Sequence, residues 1–338
     1  MKVAIFGDLQ ACEGGERLRS DGSIPLQRWR ISKFYRDLRR IVDDNGCVVV
    51  VDLGDTTDDR SSIPIPTIDV LMEGILSLRE LLCWKLIGNH EQFYRSPDMH
   101  PGRLYSEVFQ VVARSVSQEI GGVSCLFSSY NDNHDEIMED IHNFLGKNKG
   151  RKKVLFGHWG VHGTAINGGT LEGGMNREYL NDNFDAVFLG HIHKPQRMDK
   201  IWIVGSPFQQ NFGESGERKW VLIFDTETLE VSPVYLDDYP KYHAIPVGEF
   251  NKLKTIGEDR YKVICRSPEE SQSVLDHPAG GQVTIITDYE KGNTANESVG
   301  SSALISHEEM IERWLQKTPA PHGWDVLGLK SFGAELQK

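Results

Sequence analysis

Five short apolar runs each end in a glycine followed by a residue able to hold a metal ion. Residues 3–6 (VAIF) run into Gly7, Asp8 and Gln10, and residues 48–51 (VVVV) into Gly54, Asp55 and Asp58. Residues 84–87 (WKLI) lead to Gly88, Asn89, His90 and Glu91, residues 154–156 (VLF) to Gly157 and His158, and residues 186–189 (AVFL) to Gly190, His191 and His193. A strand that ends at a cleft keeps its apolar part buried and presents the polar residues beyond it, which is where α/β enzymes keep their chemistry. Asp8, Gln10, Asp55, Asn89, His158, His191 and His193 mix carboxylate, carboxamide and imidazole donors. That set suits Mn²⁺, Fe²⁺ or Zn²⁺ better than copper or an all-thiolate site. Seven donors exceed what one ion needs, and Asp55, in the middle motif, is the natural bridge between two. Two ions about 3.5–4 Å apart can clamp a phosphodiester and lower the pKa of a bridging water. His90 directly follows a ligand and could protonate the leaving oxygen or stabilise the charged transition state. Each motif alone has an ordinary structural explanation, a Gly-Asp turn or a hydrogen-bonded Asn-His pair. The pair His191 and His193 says more, because alternate strand residues share a face. Five motifs in a compatible order point to a binuclear metal centre.

The elements that must position these residues follow from apolar spacing. Helices are expected over about 27–43, with Trp29, Phe34, Leu38, Ile41 and Val42 on the apolar side, and over 68–82, with Val70, Leu71, Ile75, Leu78 and Leu82 at helical spacing. Further helices are expected over 104–118, 135–145 and, briefly, 176–180. Residues 124–127, 201–204 and 220–225 read as strands, the last two belonging to a second sheet. Buried strands alternating with amphipathic helices imply βαβ units and a largely parallel sheet. The expected class is α/β, a two-sheet β-sandwich core flanked by helices. The segment 235–240 (YLDDYP) looks like a boundary, giving a core domain over 1–238 and a small α/β cap over 239–290. Residues 291–304, rich in Gly, Asn, Ser and Thr, read as a linker. A helical tail over 305–338 opens with a capping box of Ser306 and Glu309, and Met310, Ile311, Trp314 and Leu315 form its narrow apolar stripe.

At 338 residues, 39% of them hydrophobic and 25% charged, the chain has the makings of a sizeable core and an ordinary globular composition. No run approaches the ~20 apolar residues of a membrane span. The start enters a strand directly, so no signal peptide is expected. Cys12, Cys47, Cys83, Cys125 and Cys265 are scattered and lack C-x-x-C spacing, which speaks against a zinc ribbon or thioredoxin-like site. They predict reduced thiols in a cytoplasm, bacterial or, for a phage-encoded protein, that of the infected host. A formal net charge of −12 does not suggest a nucleic-acid binder at first sight. Two divalent cations would offset about four units of it locally. The charge is also uneven: six basic residues lie between Arg28 and Arg40 with only Asp37 opposing them, and Lys147, Lys149, Arg151, Lys152 and Lys153 form a second run. Either run reads first as a solvated face.

On these motifs the chain resembles the calcineurin-like metallophosphoesterases, whose pattern is D-x-H, G-D-x-x-D, G-N-H-[DE], G-H and G-H-x-H on a two-sheet core. All five sites occur in order across residues 7 to 193, four as the pattern requires, and Gln10 stands where the first has histidine. The next segment, 204–214 (VGSPFQQNFGE), resembles the stretch after G-H-x-H in the SbcD nuclease subunits, which include phage and archaeal relatives and the eukaryotic break-repair nuclease. The resemblance implies a Mn-dependent DNA nuclease, a 3′–5′ double-strand exonuclease and single-strand endonuclease. It would work as a homodimer with an SbcC-like coiled-coil ATPase in DNA end processing, recombination and repair, with Mg, Fe or Zn as alternative metals. In the family the first metal would be held by Asp8, Gln10, Asp55 and His193, and the second by Asp55, Asn89, His158 and His191. His90 matches the catalytic histidine. Asp58 and Glu91 match positions that orient ligands or His90. Under this reading Arg28, Arg30, Lys33 and Arg36 would contact DNA phosphates. Met310, Ile311, Trp314 and Leu315 would dock on the base of the ATPase coiled coil as a helix in a groove. A carboxamide binds transition metals more weakly than imidazole, so Gln10 predicts a looser first metal. Two alternatives stay open. One is a different phosphodiesterase or phosphatase, which would have no evident use for the tail. The other is a catalytically weakened DNA-binding scaffold, motivated by Gln10.

Overall fold

In the computed structural model, which describes residues 1–12, 19, 22, 25–280 and 283–288, each of the five apolar runs is a strand. They are Lys2–Phe6, Cys47–Asp52, Leu82–Leu86, Lys153–His158 and Ala186–Gly190. Two six-stranded sheets result. The first is ordered Val231–Tyr235, Trp220–Asp225, Lys2–Phe6, Cys47–Asp52, Leu82–Leu86, Phe109–Val112. The second is ordered Gln196–Met198, Ile201–Ile203, Ala186–Gly190, Lys153–His158, Val123–Ser128, Ser115–Ile120. Within each sheet the motif-bearing strands are parallel neighbours, so their C-terminal ends lie side by side.

Alternate strand residues point to opposite faces, and here both faces are apolar. Ala4, Phe6 and Val50 pack with Ile31, Phe34, Leu38, Leu71 and Ile75 of the helices Leu26–Asn45 and Ile65–Leu76. Val3, Ile5, Val49 and Val51 instead meet Phe156, Phe188 and Phe224 between the sheets. Leu155, Val187 and Leu189 on the far side are covered by the helices His134–Lys147 and Arg177–Asn183 through Ile137, Ile141, Phe144 and Leu180. The fold is therefore mixed α/β, layered helix–sheet–sheet–helix. An aromatic row, Trp84–Phe127–Phe156–Phe188–Phe224, runs between the sheets with centroid separations of 4.6, 4.8, 5.4 and 5.2 Å. Residues Tyr242–Pro246, Arg260–Cys265 and Thr284–Thr287 form a third, parallel sheet with its own core of Val247, Phe250, Tyr261, Val263 and Val274. None of the five cysteines is in a disulfide. Among the described residues no helix is long and apolar enough to cross a membrane.

Three expectations are corrected. The helix expected over 68–82 runs Ile65–Leu76, started by proline in its first turn. Turns after it (Leu78 N to Ile75 O and Leu81 N to Leu78 O, both 3.0 Å) keep Leu78 buried and free Leu82 to begin the next strand. The helix expected over 104–118 covers only Gly102–Tyr105, and Phe109–Val112 and Ser115–Ile120 are edge strands, one on each sheet. β-Branched Val111, Val112 and Val116 suit a strand, and pairing with Leu82–Leu86 and Val123–Ser128 overrides the helical spacing. The third correction concerns residues 220–225, which pair antiparallel with Lys2–Phe6 in the first sheet and do not belong to the second. On the helix Leu26–Asn45 two of the basic residues have partners within the fold. Arg30 is buried, donates to Pro240 O at 2.8 Å and lies over the Phe208 and Tyr242 rings. Lys33 is paired with Asp37 at 2.6 Å and Asp238 at 2.9 Å. Both cations pack the helix against the chain leading to the third sheet. Arg36 is exposed and Arg28 half-buried. The expected linker over 291–304 and the tail carrying Met310, Ile311, Trp314 and Leu315 lie outside the described residues.

Two glycines separate packing from propensity. A Cβ on Gly74, in the helix Ile65–Leu76, would run into the Tyr35 ring, whereas one on Gly146, in His134–Lys147, would meet nothing within 4 Å. Alanine is intrinsically better than glycine in a helix by up to ~1 kcal/mol. Gly146→Ala is therefore expected to stabilise by about 0.5–1 kcal/mol, and Gly74→Ala to destabilise by about 1–3 kcal/mol. Urea denaturation reads both, and shifts of the same sign would show that the Gly74–Tyr35 contact does not set the spacing of the two helices.

Candidate metal centre

The first two motif loops continue to pair after their strands stop. Leu53 N donates to Phe6 O at 2.8 Å, Asp8 N to Gly54 O at 2.9 Å, Gln10 N to Asp55 O at 2.9 Å and Ala11 N to Thr56 O at 2.7 Å. Along this ladder Asp8, Gln10 and Asp55 take left-handed backbone (φ 53°, 48° and 52°), and His191 in the facing sheet has φ 82°. Such a conformation costs a non-glycine residue of order 1–3 kcal/mol. Half of the eight left-handed non-glycine residues among those described belong to the expected ligand set, so strain is concentrated where side-chain direction matters. The glycines of the motifs serve close approach. A Cβ on Gly88 would overlap the Asp55 carboxylate, and Gly54, at φ 107°, passes between Gly88 and the His158 imidazole.

Asp55, His158 and His191 bring their donor atoms within 4.8 Å of one another. Asn89 joins them, its Oδ1 lying 2.8 Å from His191 Nδ1 and 3.2 Å from His158 Nε2. His158 Nε2 is also 3.1 Å from Asp55 Oδ2. Its Nδ1 is 2.7 Å from Leu53 O, and because a carbonyl only accepts, Nδ1 carries the proton there. That outer partner fixes the ring with Nε2 toward the cluster, the arrangement typical of metal-binding histidines. Asp8, Gln10 and His193 are placed around this group rather than in it. Asp8 accepts from His191 N at 2.9 and 3.2 Å, Gln10 is buried in the loop laddered to Asp55, and His193 Nδ1 lies 3.1 Å from Glu214 Oε1. Among the described residues no second trio of carboxylate, imidazole or thiol donors closes to the same distance. The mixed oxygen and nitrogen donors of buried Asp55 and His158 and of partly exposed Asn89 and His191 fit a borderline divalent cation.

Burial and charge divide the cluster. Burial raises the Asp8 carboxyl, against the pull of His158 and His193. Burial would raise Asp55 as well, but the His158 and His90 charges outweigh it and hold the carboxyl at about 2. Burial would lower His158, yet Asp55 lifts it to about 9. His191, desolvated and facing His158, falls to about 4. Without a cation these shifts make Asp55 and His158 an ion pair and leave His191 neutral, and a cation bound at His158 would displace the proton from Nε2.

The neighbouring residues take distinct roles. His90 N donates to Asp55 Oδ1 at 2.8 Å, and its Nδ1 lies 2.6 Å from the Asp58 carbonyl and 3.5 Å from Asp58 Oδ1. Asp58 thus orients His90, through its backbone foremost, and the His90 ring is partly open to solvent. Glu91 turns inward. Its carboxylate accepts from Gly88 N and Asp55 N, both at 3.1 Å, and lies 3.0 Å from Lys85 Nζ. Lys85 is fully buried, 3.1 Å from Asp52, hydrogen-bonded to Thr56 and over the Tyr105 ring at 4.5 Å. Burial would push its ammonium down, but Asp52 and Glu91 raise it and keep it charged. Arg60, exposed at the rim, donates through Nε to Asn89 O at 2.8 Å. Sequence reasoning passed over Lys85, Asp52, Arg60 and Glu214. A lysine inside an otherwise apolar strand was the available signal for the first two, since a buried cation requires buried anions.

Lys85→Met would leave Asp52 and Glu91 facing each other without that cation. It is expected to destabilise the fold by about 3–5 kcal/mol in chemical denaturation and to weaken divalent-cation binding measured by calorimetry. Wild-type values in both would mean that the Asp55 loop holds its shape without the buried pair.

The sequence profile of the calcineurin-like phosphoesterases matches residues 1–195, the stretch that carries every donor described above. Exonuclease subunit 1 of Enterobacteria phage T4 is 23% identical to this chain over 193 residues. That match takes in 54% of this chain and 55% of the phage protein, so the chain spans about half the length of this relative. Among solved structures, a dimetal phosphatase from Danio rerio is 10% identical with a TM-score of 0.45, covering 66% of this chain and 91% of its own. The calcineurin-like phosphoesterase YfkN from Bacillus subtilis is 12% identical with a TM-score of 0.38, covering 70% and 88%. On the profile match, which spans more than half of its length, this chain belongs to the calcineurin-like phosphoesterase family.

Proposed function

We propose that this chain is a metal-dependent DNA nuclease of the SbcD type, hydrolysing phosphodiesters at a binuclear centre. The observation that carries this reading is the convergence of Asp55, Asn89, His158 and His191 with His90 held at their edge. Similarity to a phage exonuclease subunit supports DNA as the substrate, as does the resemblance of residues 204–214 to the SbcD segment. Two divalent cations, manganese foremost, would polarise the phosphodiester and lower the pKa of a bound water toward neutrality. Asn89, His158 and His191 would hold one, Asp8, Gln10 and His193 the other, with Asp55 shared. With Nδ1–H of His90 engaged by the Asp58 carbonyl, Nε2 is left to exchange a proton with the leaving oxygen. Glu91 and Lys85 keep Asp55 in place. Among the described residues Arg60 donates through Nε to Asn89 O, and its terminal nitrogens would meet a phosphate oxygen.

The test is Mn²⁺-dependent degradation of end-labelled linear duplex DNA by wild type, His90→Asn and Gln10→His. Wild type is expected to cut and His90→Asn to lose about 10²-fold or more, while Gln10→His reaches the wild-type rate at lower Mn²⁺. If none cuts, even with an SbcC-like ATPase and ATP, hydrolysis of bis(p-nitrophenyl) phosphate would mark a different phosphodiesterase. Inertness there too leaves the scaffold reading. The same proposal places Met310, Ile311, Trp314 and Leu315 on the ATPase and makes the chain a homodimer. Trp314→Glu is expected to abolish co-purification with the ATPase, and a monomer in sedimentation equilibrium would remove the dimer.

A further inference from the structure

His193 takes its orientation from a segment well downstream of it. Glu214 is buried at the centre of residues 205–219. One of its oxygens is 3.1 Å from His193 Nδ1, and the other accepts from Gln210 N at 3.0 Å and Ser206 Oγ at 3.3 Å and pairs with Lys219 Nζ at 2.7 Å. Lys219 Nζ in turn donates to His193 O at 2.8 Å. One ion pair therefore holds both the ring and the backbone of His193. Gln210 Nε2 reaches Leu9 O at 3.2 Å, the carbonyl between Asp8 and Gln10.

The same segment faces the third sheet. Gln209 is buried, its Oε1 accepting from Tyr242 N at 2.7 Å and its Nε2 donating to Glu217 O at 2.9 Å. The Phe212 ring meets Tyr242 edge-on at 5.0 Å, and Ala244 N donates to Ser215 Oγ at 3.3 Å. Two adjacent glutamines thus hold the first strand of the third sheet and the first loop of candidate ligands. Asn89, His158 and His191 have other partners: His158 Nδ1 donates to Leu53 O, His191 N to the Asp8 carboxylate, and Asn89 O accepts from Arg60 Nε, so none of these bonds reaches residues 205–219.

We propose that residues 205–219 couple the third sheet to one half of the metal centre. Glu214 is the positioning residue of His193, and Gln209 transmits the placement of the Tyr242–Pro246 strand to it. Cation affinity at Asp8, Gln10 and His193 then depends on the third sheet, while affinity at Asn89, His158 and His191 does not. Whatever partner or substrate displaces the third sheet would load or unload one cation only. This rests on the two-cation reading of the centre and is independent of DNA being the substrate.

Calorimetric titration of the full chain with Mn²⁺ tests it, comparing wild type, Glu214→Gln and Gln209→Met. Wild type is expected to show a tighter and a weaker site. Glu214→Gln should weaken the weaker site by about 10-fold or more and Gln209→Met should weaken it to a smaller extent, with the tighter site unchanged in both. Gln209→Met conserves volume and does not touch His193, so it decides the matter if Glu214→Gln, which strands Lys219, fails to fold. Two wild-type constants in Gln209→Met overturn the coupling, and so does an equal loss at both sites. A wild-type chain that takes up a single Mn²⁺ overturns the two-cation reading itself.

Discussion

A carboxylate removed from water must have its charge met by the protein, or the fold loses several kcal/mol. Asp55 is that carboxylate here, with 1% of its surface exposed. Oδ2 faces His158 and Oδ1 accepts from His90 N. Much of the surrounding architecture follows from that requirement. Gly88 must lack a side chain so that the loop can pass the carboxylate, and Gly54 must lack one beside His158. The Asp55 backbone is held by Glu91, a second buried carboxylate, which needs Lys85, which in turn needs Asp52 and Thr56. Each layer of charge calls for the next, until the series ends on the face of the Tyr105 ring. Replacing such a network by apolar packing often gains stability. Its presence fits a site where ligand direction matters more than stability.

The cluster also ties the two sheets into one constraint. Asp55 and Asn89 follow strands of the first sheet, and His158 and His191 belong to the second. Their atoms can converge only if the inter-sheet distance and both registers are right. The aromatic row from Trp84 to Phe224 sets that distance. The pairings Phe6 with Asp52 and Gly190 with His158 set the registers. A slip of one residue would exchange core and helix faces along a whole strand, so the packing that stabilises the sandwich also aligns the donors.

How much of this could be read in advance depended on how local the determining contacts are. The strand-end motifs were legible because glycine, ligand and apolar run are contiguous, and the helix Leu26–Asn45 was legible because its apolar side has helical spacing. Residues 104–118 were misread because Val and Leu at mixed intervals fit either period, and only pairing with distant strands decides between them. Arg30 looked like part of a polar face. Its burial comes from Phe208, Pro240 and Tyr242, more than 170 residues away in the chain, and no local pattern carries that. Glu91 could be placed near the site from its motif, but not turned away from solvent toward Asp55 without knowing where Lys85 lies. Glu214 was visible only as part of a resemblance. That it meets His193 follows from a contact across 21 residues with no periodicity to announce it.

The two halves of the centre are therefore built by different means. Asn89, His158 and His191 stand at strand ends, and their bonds to Arg60, Leu53 and Asp8 do not pass through residues 205–219. His193 depends on a side-chain ion pair in a connecting segment that also touches the third sheet. Side-chain contacts of that kind can rearrange without unfolding the core, whereas parallel strand pairing cannot. The departure at Gln10 falls on the same adjustable side, where a weaker donor shifts the balance between occupied and empty most readily. A phosphoesterase with one fixed and one conditional cation has its on-state defined by the second. Under the proposed coupling, the residues that would decide it in this chain, Glu214 and Gln209, lie beyond the five motifs that first mark the centre.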